Sequence, residues 1–273
     1  MRHTVVLPVI LAIALPLSLL AGRVWIDPWS TPNAALILAE LRLPRSLLAV
    51  IVGAGLGAAG AAMQGYLRNP LADPGLFGIG PGAALGAVTS LWLGYAASAW
   101  ALPLFALIGA GGAMAPIVGW LNGALTDRGW HEVAIATPPI LAGIALLRAA
   151  GPSLDALTLG DAAARSLGIN PRHLLWLLIG GTALTVGAVT AVAGIIGFVG
   201  LIVPHLIRPL TDRRPSRLIV PSALGGALLV LVADSVVRVL PLMIELRLGI
   251  ALSLLGAPFF LWLLLRMRRG QAW

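Results

Sequence analysis

The sequence predicts an all-α fold: a polytopic transmembrane helix bundle of about eight full spans, in a single domain over residues 1–273. Three observations predict it. Of the 273 residues, 59% are hydrophobic and only 10% charged, against roughly 25% charged in a soluble domain. Residues 46–67, 74–126 and 174–204 contain no charged side chain, and each is long enough for the ~20 residues that cross a hydrocarbon core. A soluble fold of this size could not cover so much apolar surface. The eighteen basic residues, all Arg, outnumber ten acids and sit in short connections between apolar runs. There they read as topology signals rather than as a nucleic-acid surface.

Taken in order, the predicted spans are 4–22, 46–67, 76–97, 102–125, 174–194, 195–210 (short), 217–239 and 248–266. Residues 2–22 resemble a signal peptide in charge pattern. Their length and the poor cleavage context at Leu20-Ala21-Gly22 favour an uncleaved first helix. With the N-terminus in the cytoplasm, Arg68, Arg128, Arg165, Arg172, Arg213, Arg214, Arg217, Arg266, Arg268 and Arg269 fall inside. Arg23, Arg42, Arg45, Arg238 and Arg247 remain outside, as the positive-inside rule prefers. Residues 133–150 are apolar, but Pro138-Pro139 interrupts them. The remainder before Gly151-Pro152 would make a helix of about 16 Å, half a bilayer. The expectation is a non-spanning, re-entrant or tightly packed segment, with both termini cytoplasmic.

Several chemistries are excluded. There is no cysteine, hence no disulfide or thiolate metal site. Gly53, Gly55, Gly57 and Gly60 contain a formal GxGxxG, but it lies inside a span with no strand before it. Close helix packing through small residues explains it better. No GxxxxGK[ST] is present to cradle nucleotide phosphates, and no HExxH or Ser/His/Asp set lies at membrane depth. No catalytic or resident metal site is expected.

Five segments stand out from generic lipid-facing helix. They are Arg42-Leu43-Pro44-Arg45; Met63-Gln64 with Arg68-Asn69-Pro70-Leu71-Ala72-Asp73-Pro74-Gly75; Leu159-Gly160-Asp161 through Arg165-Ser166-Leu167-Gly168; Gly197-Phe198-Val199-Gly200-Leu201-Ile202-Val203-Pro204-His205 with Arg208; and Gly256-Ala257-Pro258-Phe259-Phe260. In this order, across residues 40–265, they resemble the permease family that imports ferric siderophores, haem and cobalamin, the type II ABC importers.

The resemblance implies roles beside each residue-level reading. Outer Arg42, Arg45 and Arg238 are either snorkelling anchors or, as the resemblance implies, arginines that pair with carboxylates of a periplasmic binding protein. A guanidinium fork suits that task. The stretch containing Leu159, Gly160, Asp161, Ala164, Arg165, Leu167 and Gly168 reads as a short amphipathic helix pair. It is either a headgroup-level loop or, by the resemblance, the coupling helices that enter a groove of the ATPase. Asn69 and Pro70 mark a plain loop or a cytoplasmic gate. Gln64 lines the pathway or bonds a neighbouring helix. Gly197, Phe198 and Gly200 lie in a turn between spans, and His205 is better read as a hydrogen-bonding residue than as a haem ligand.

The implied assembly is two copies of this chain, two ATPase subunits and one periplasmic binding protein, in a bacterial inner membrane. ATP and Mg belong to the ATPase, no cofactor to this chain, and no nucleic acid is involved. The rival reading is an ion-coupled secondary transporter or channel, which needs ionisable groups near the midplane. Asp234, at a span edge close to Arg238, reads instead as a local pair. Two departures from the family stand out. Material for about two of its ten spans is missing, placed by sequence between Ala142 and Leu157. In addition, Arg247 stands where the family commonly has Pro.

Overall fold

The computed structural model describes residues 3–22, 31–74, 123–240 and 246–268, and the elements are numbered along these. They are α1 (His3–Leu20), α2 (Ala34–Ile37), a π-helical turn (Leu38–Arg42), α3 (Leu43–Leu67), α4 (Trp130–Leu157), α5 (Asp161–Ser166), α6 (Pro171–Ala193), α7 (Val199–Ile207), α8 (Pro215–Val239) and α9 (Leu248–Arg268). No strand occurs among the described residues. Among the described residues, five stretches are long and apolar enough to cross a membrane: 34–67, 130–157, 171–193, 215–239 and 248–267. The predicted spans 76–97 and most of 102–125 lie outside the described residues.

α3 is the central rod, buried along most of its length. Its glycines bring neighbouring backbones into direct contact. A Cβ on Gly53 would sit 2.1 Å from Gly226 O, one on Gly57 2.0 Å from Ser222 O, and one on Gly60 2.1 Å from Gly200 O. The formal GxGxxG is therefore a packing surface for α8 and α7, as expected of small residues in a bundle. α8 runs antiparallel to α3, with Gly65 against Pro215 and Gly53 against Gly226. α1 closes on both: Ser18 Oγ donates to Ser46 Oγ at 2.9 Å, while Leu7, Leu11, Ala14 and Leu15 pack on the core.

Local sequence explains the ends. Asn170 Oδ1 accepts from the backbone N–H groups of Arg172 and His173, with Pro171 at the first helical position of α6, a favourable start. Arg68 ends α3 in a left-handed conformation, and Asn69 Oδ1 accepts from Leu71 N at 2.9 Å. α8 begins where Asp155 of α4 accepts from Ser216 N at 2.9 Å and from Ser216 Oγ at 2.5 Å.

Two expectations are corrected here. Residues 133–150 do not form a non-spanning segment. They lie within the 28-residue helix α4, which continues through Pro138, Pro139 and Pro152 and at about 1.5 Å per residue is long enough to span. Buried Ala136, Ile140, Gly143, Leu147, Ala150, Gly151 and Leu154 follow the helical period. That stripe packs on α6, where a Cβ on Gly143 would meet Gly181 O at 2.7 Å. Packing outweighs the hydrogen bonds the prolines omit, as membrane helices tolerate when neighbours cover the site. Thr137 Oγ1 also donates to Val133 O in the same turn.

The second correction concerns sidedness. α4 is parallel to α3. Trp130 Nε1 donates to Ala39 O just before α3, Gly55 faces Ile140, and Gly65 faces Leu154. Leu67 and Trp130 therefore lie at opposite ends of the bundle. Most of the chain that connects them, where the sequence implied two crossings, lies outside the described residues. Arg128 consequently belongs at the Arg45 end rather than with Arg68.

Candidate functional site

The singled-out residues fall at the two ends of the α3–α8 pair. At one end, the first turns of α3 meet the last turns of α1 and α8. Arg45 Nε donates to both carboxylate oxygens of Asp234, at 3.0 and 3.3 Å, and Arg45 Nη2 to Oδ1 at 2.9 Å. Arg238, one turn beyond Asp234, has its Nε 3.0 Å from Oδ2. Its terminal nitrogens donate to Ala21 O, Ser46 Oγ and Ser235 Oγ at 3.3–3.4 Å. Arg42 Nη1 donates to Leu19 O and Leu20 O, at 2.9 and 2.8 Å. It thereby caps two of the carbonyls a helix end leaves unpaired. The local Asp234–Arg238 pair expected from sequence is present. Arg45, 189 residues away in sequence, completes it.

At the other end, Leu157 leads into Gly160, whose φ of 102° opens the turn before α5, and Gly168 closes it at φ 81°. Both are backbone conformations that glycine adopts without strain. The expected helix pair is one six-residue helix, Asp161–Ser166, because Asn170-Pro171 starts α6 directly after it. Ala164 is the buried contact of α5, whereas Leu159 and Leu167 are 67% and 63% exposed. Asp161 pairs with Arg68 at the end of α3. A pocket of about 450 Å³ separates α5 from the bundle, lined by Tyr66, Arg68, Leu157, Ala164, Arg165 and Leu174 among others. Arg165 and Asp161 both face it.

Between the ends, Gln64 is buried and acts as a tie. Its Nε2 donates to Gly200 O and Leu201 O, at 3.3 and 3.2 Å, and its Oε1 accepts from Arg208 Nη2 at 2.9 Å. Of its two sequence readings, the bond to a neighbouring helix is the one observed. Phe198 adopts φ 67° and its ring fills the place where a Cβ on Gly256 would stand, 2.2 Å away. That contact explains the Gly256-Ala257-Pro258 motif on α9. Asn69 and Pro70 turn the chain back towards the bundle, so that Pro74 Cδ comes within 2.8 Å of a Cβ placed on Gly200. His205 is buried and packs edge-on against Phe259, ring centroids 5.5 Å apart, in a helix contact rather than an open ligand position. No cluster of three or more His, Asp or Glu that could hold a metal occurs among the described residues.

The model of the FecCD transport family matches residues 10–118 and 112–266. The chain belongs to that family. Among its relatives, the Fe(3+) dicitrate transport system permease protein FecD of Escherichia coli is 37% identical over 274 aligned positions, 85% of this chain and 86% of FecD. The hemin transport system permease protein HmuU of Yersinia pestis is 35% identical over 281 positions, 85% of this chain and 84% of HmuU. The vitamin B12 import system permease protein BtuC of Serratia proteamaculans is 35% identical over 320 positions, 98% and 93% of the two chains. A solved inward-facing ABC transporter of metal-chelate type superposes with a TM-score of 0.86 at 28% identity, over 95% of this chain and 97% of that one. This FecCD-family chain is thus a transport permease rather than an enzyme, with the helical fold of that structure.

The comparisons also bear on the missing material. An alignment of 320 positions on a 273-residue chain leaves several tens of positions of the relative unmatched. The two pieces of the family match meet at residues 112–118, not between Ala142 and Leu157, where α4 is continuous. Pro138-Pro139 made α4 look broken in the sequence.

Proposed function

We propose that this chain forms the translocation pathway of a binding-protein-dependent ABC importer in a bacterial inner membrane, for an iron chelate (haem or a ferric siderophore) or cobalamin. It works as two copies with two ATPase subunits, which bind ATP and Mg, and one periplasmic binding protein. One observation carries this reading for the chain itself: an arginine cluster at one end of α3 and α8, and a short helix flanked by two exposed leucines, Leu159 and Leu167, at the other. The arginine end faces the periplasm, where Arg42, Arg45 and Arg238 receive carboxylates of the binding protein. The α5 end faces the cytoplasm, where Leu159, Gly160, Asp161, Ala164, Arg165, Leu167 and Gly168 form the knob that enters the ATPase. Both termini are then cytoplasmic.

Closure of the ATPases moves α5, and the motion passes to the bundle as rigid-body rotation of packed helices. Arg68–Asp161 ties the knob to α3, and Asp155–Ser216 ties α4 to α8. Gln64, Asn69, Pro70, Gly197, Phe198 and Gly200 surround the place where α3 meets α7, and form the gate region. Asp234, the acid on which an ion-coupled carrier would depend, is matched instead to two guanidiniums. That favours the ATP-driven reading over the secondary transporter.

The test is reconstitution of permease, ATPase and binding protein in proteoliposomes, comparing uptake of haem, a ferric siderophore and cobalamin. ATP-dependent uptake of one of them is expected. Uptake driven by a proton gradient, or none with ATP, overturns the reading. Replacing Arg42, Arg45 and Arg238 by Glu is expected to weaken binding-protein association, most at low salt, where exposed charges are least screened.

A further inference from the structure

The arginines assigned to docking are not presented as open forks. Asp234 has no solvent exposure, the Arg238 side chain 7% and that of Arg45 14%. Arg45 meets Asp234 through Nε and Nη2 together, both on Oδ1, with Nε also 3.3 Å from Oδ2; this is the edge with which a guanidinium would also receive a partner's carboxylate. Arg238 is packed between Ala21, Ser46 and Ser235. A carboxylate arriving from outside therefore meets Arg45 with its best donors turned inward, towards an acid of this same chain.

We propose that Asp234 is an internal competitor and positioning residue: docking proceeds by ion-pair exchange, a binding-protein carboxylate taking over from Asp234 the Nε/Nη2 edge of Arg45. The inference rests on the reading that this end receives the binding protein.

Three features support exchange over simple addition. Arg45 is the more exposed of the two bases on Asp234, and it stands at the start of α3, where its long stem can swing outward. Arg238, held by three further acceptors, remains on Asp234 when Arg45 leaves, so the buried acid is never left unpaired. Leaving a buried charge without a partner would be strongly unfavourable. The exchange also spans two rods: Arg45 belongs to α3 and Asp234 to α8. Docking would thus loosen the ion pair between α3 and α8 at this end, while the Arg238–Ser46 bond and the glycine contacts below hold the rods together.

The test measures affinity of the nanodisc-embedded permease–ATPase complex for the binding protein that supports uptake, at several salt concentrations. Asp234→Asn removes the competing charge but keeps the shape. It is expected to bind the binding protein at least about tenfold more tightly, the scale of a lost charge-assisted competitor, with a steeper salt dependence. Should Asp234→Asn not fold, Asp234→Asn combined with Arg238→Gln leaves a single guanidinium to be solvated. It is compared with Arg238→Gln alone, and the same tightening is expected. If Asp234→Asn is folded and binds no more tightly, while Arg45→Glu binds more weakly, docking at Arg45 stands and the exchange is overturned. If neither substitution changes affinity, the docking reading itself has failed.

Discussion

The closest test of the packing that joins the two ends is a pair of identical substitutions, Gly226→Ala and Gly180→Ala. In an exposed helix interior each would gain up to about 1 kcal/mol of helix propensity. The surroundings separate them. A Cβ at residue 226 would lie 2.0 Å from Gly53 O, 2.9 Å from Gly53 C and 3.2 Å from Gly57 Cα. All three are backbone atoms of the central rod. Carbon and carbonyl oxygen settle near 3.3–3.6 Å even in favourable contacts, so α3 and α8 must part by about 1 Å or more. No side-chain rotation can relieve the clash. Overpacking of this kind costs about 1–3 kcal/mol, before the loss of dispersion contacts along the helix pair. At residue 180 the new methyl would meet only Leu146 Cδ1, at 3.6 Å, an ordinary contact. The propensity gain is common to both, so the two variants should differ by the overpacking cost, about 1–3 kcal/mol. For a domain of this size that corresponds to melting temperatures about 2–12 °C apart. Thermal unfolding in a mild detergent reads the difference directly. Gly226→Ala melting at or above the parent chain, or Gly180→Ala falling as far as Gly226→Ala, would refute the close-contact reasoning.

Gln64→Leu keeps the bulk of the side chain but leaves Gly200 O, Leu201 O and Arg208 without their shared partner; a loss of about 1–3 kcal/mol is expected, read as a lower detergent melting temperature, and an unchanged value would show that the tie is dispensable. Leu159→Asp with Leu167→Asp alters two side chains that touch little of this chain, so stability should hold within about 0.5 kcal/mol. Co-purification of the ATPase subunit should fall at least tenfold. Retained ATPase at normal yield would remove α5 from the coupling role.

What the sequence made legible depended on the range over which each signal acts. The spans 46–67, 174–194, 217–239 and 248–266 fall within a few residues of α3, α6, α8 and α9, because uninterrupted hydrophobicity is a local property. Gly53, Gly57 and Gly60 were readable as packing residues because a glycine stripe inside a span has few other uses. The pairing of Arg45 with Asp234 was not legible. Its partners are 189 residues apart, and each has a plausible local role of its own. Arg42 was readable as a snorkelling anchor or a docking arginine, and only the arrival of α1 beside it adds the helix cap. α4 failed for another reason. Pro138 and Pro139 are strong local breakers, whereas the buried stripe from Ala136 to Leu154 is a weaker, longer-range signal. In a bundle the stripe wins, because Gly143 lets α6 approach closely enough for packing to outweigh the omitted hydrogen bonds.

The same contacts explain why a chain shorter than its relatives keeps both ends of the proposed machine. The family match breaks at residues 112–118. Every described tie between the ends runs elsewhere. Arg45 and Asp234 join α3 to α8 at one end, Gly53–Gly226 and Gly57–Ser222 hold the rods in register, and Gln64 fastens α7 to α3. Arg68–Asp161 and Asp155–Ser216 then reach the α5 knob. A rigid link needs only that helices in direct contact move as one body, and backbone-to-backbone packing at about 2 Å of Cβ clearance leaves no room for independent sliding. The path from the arginine end to the coupling helix therefore runs through the described helices alone.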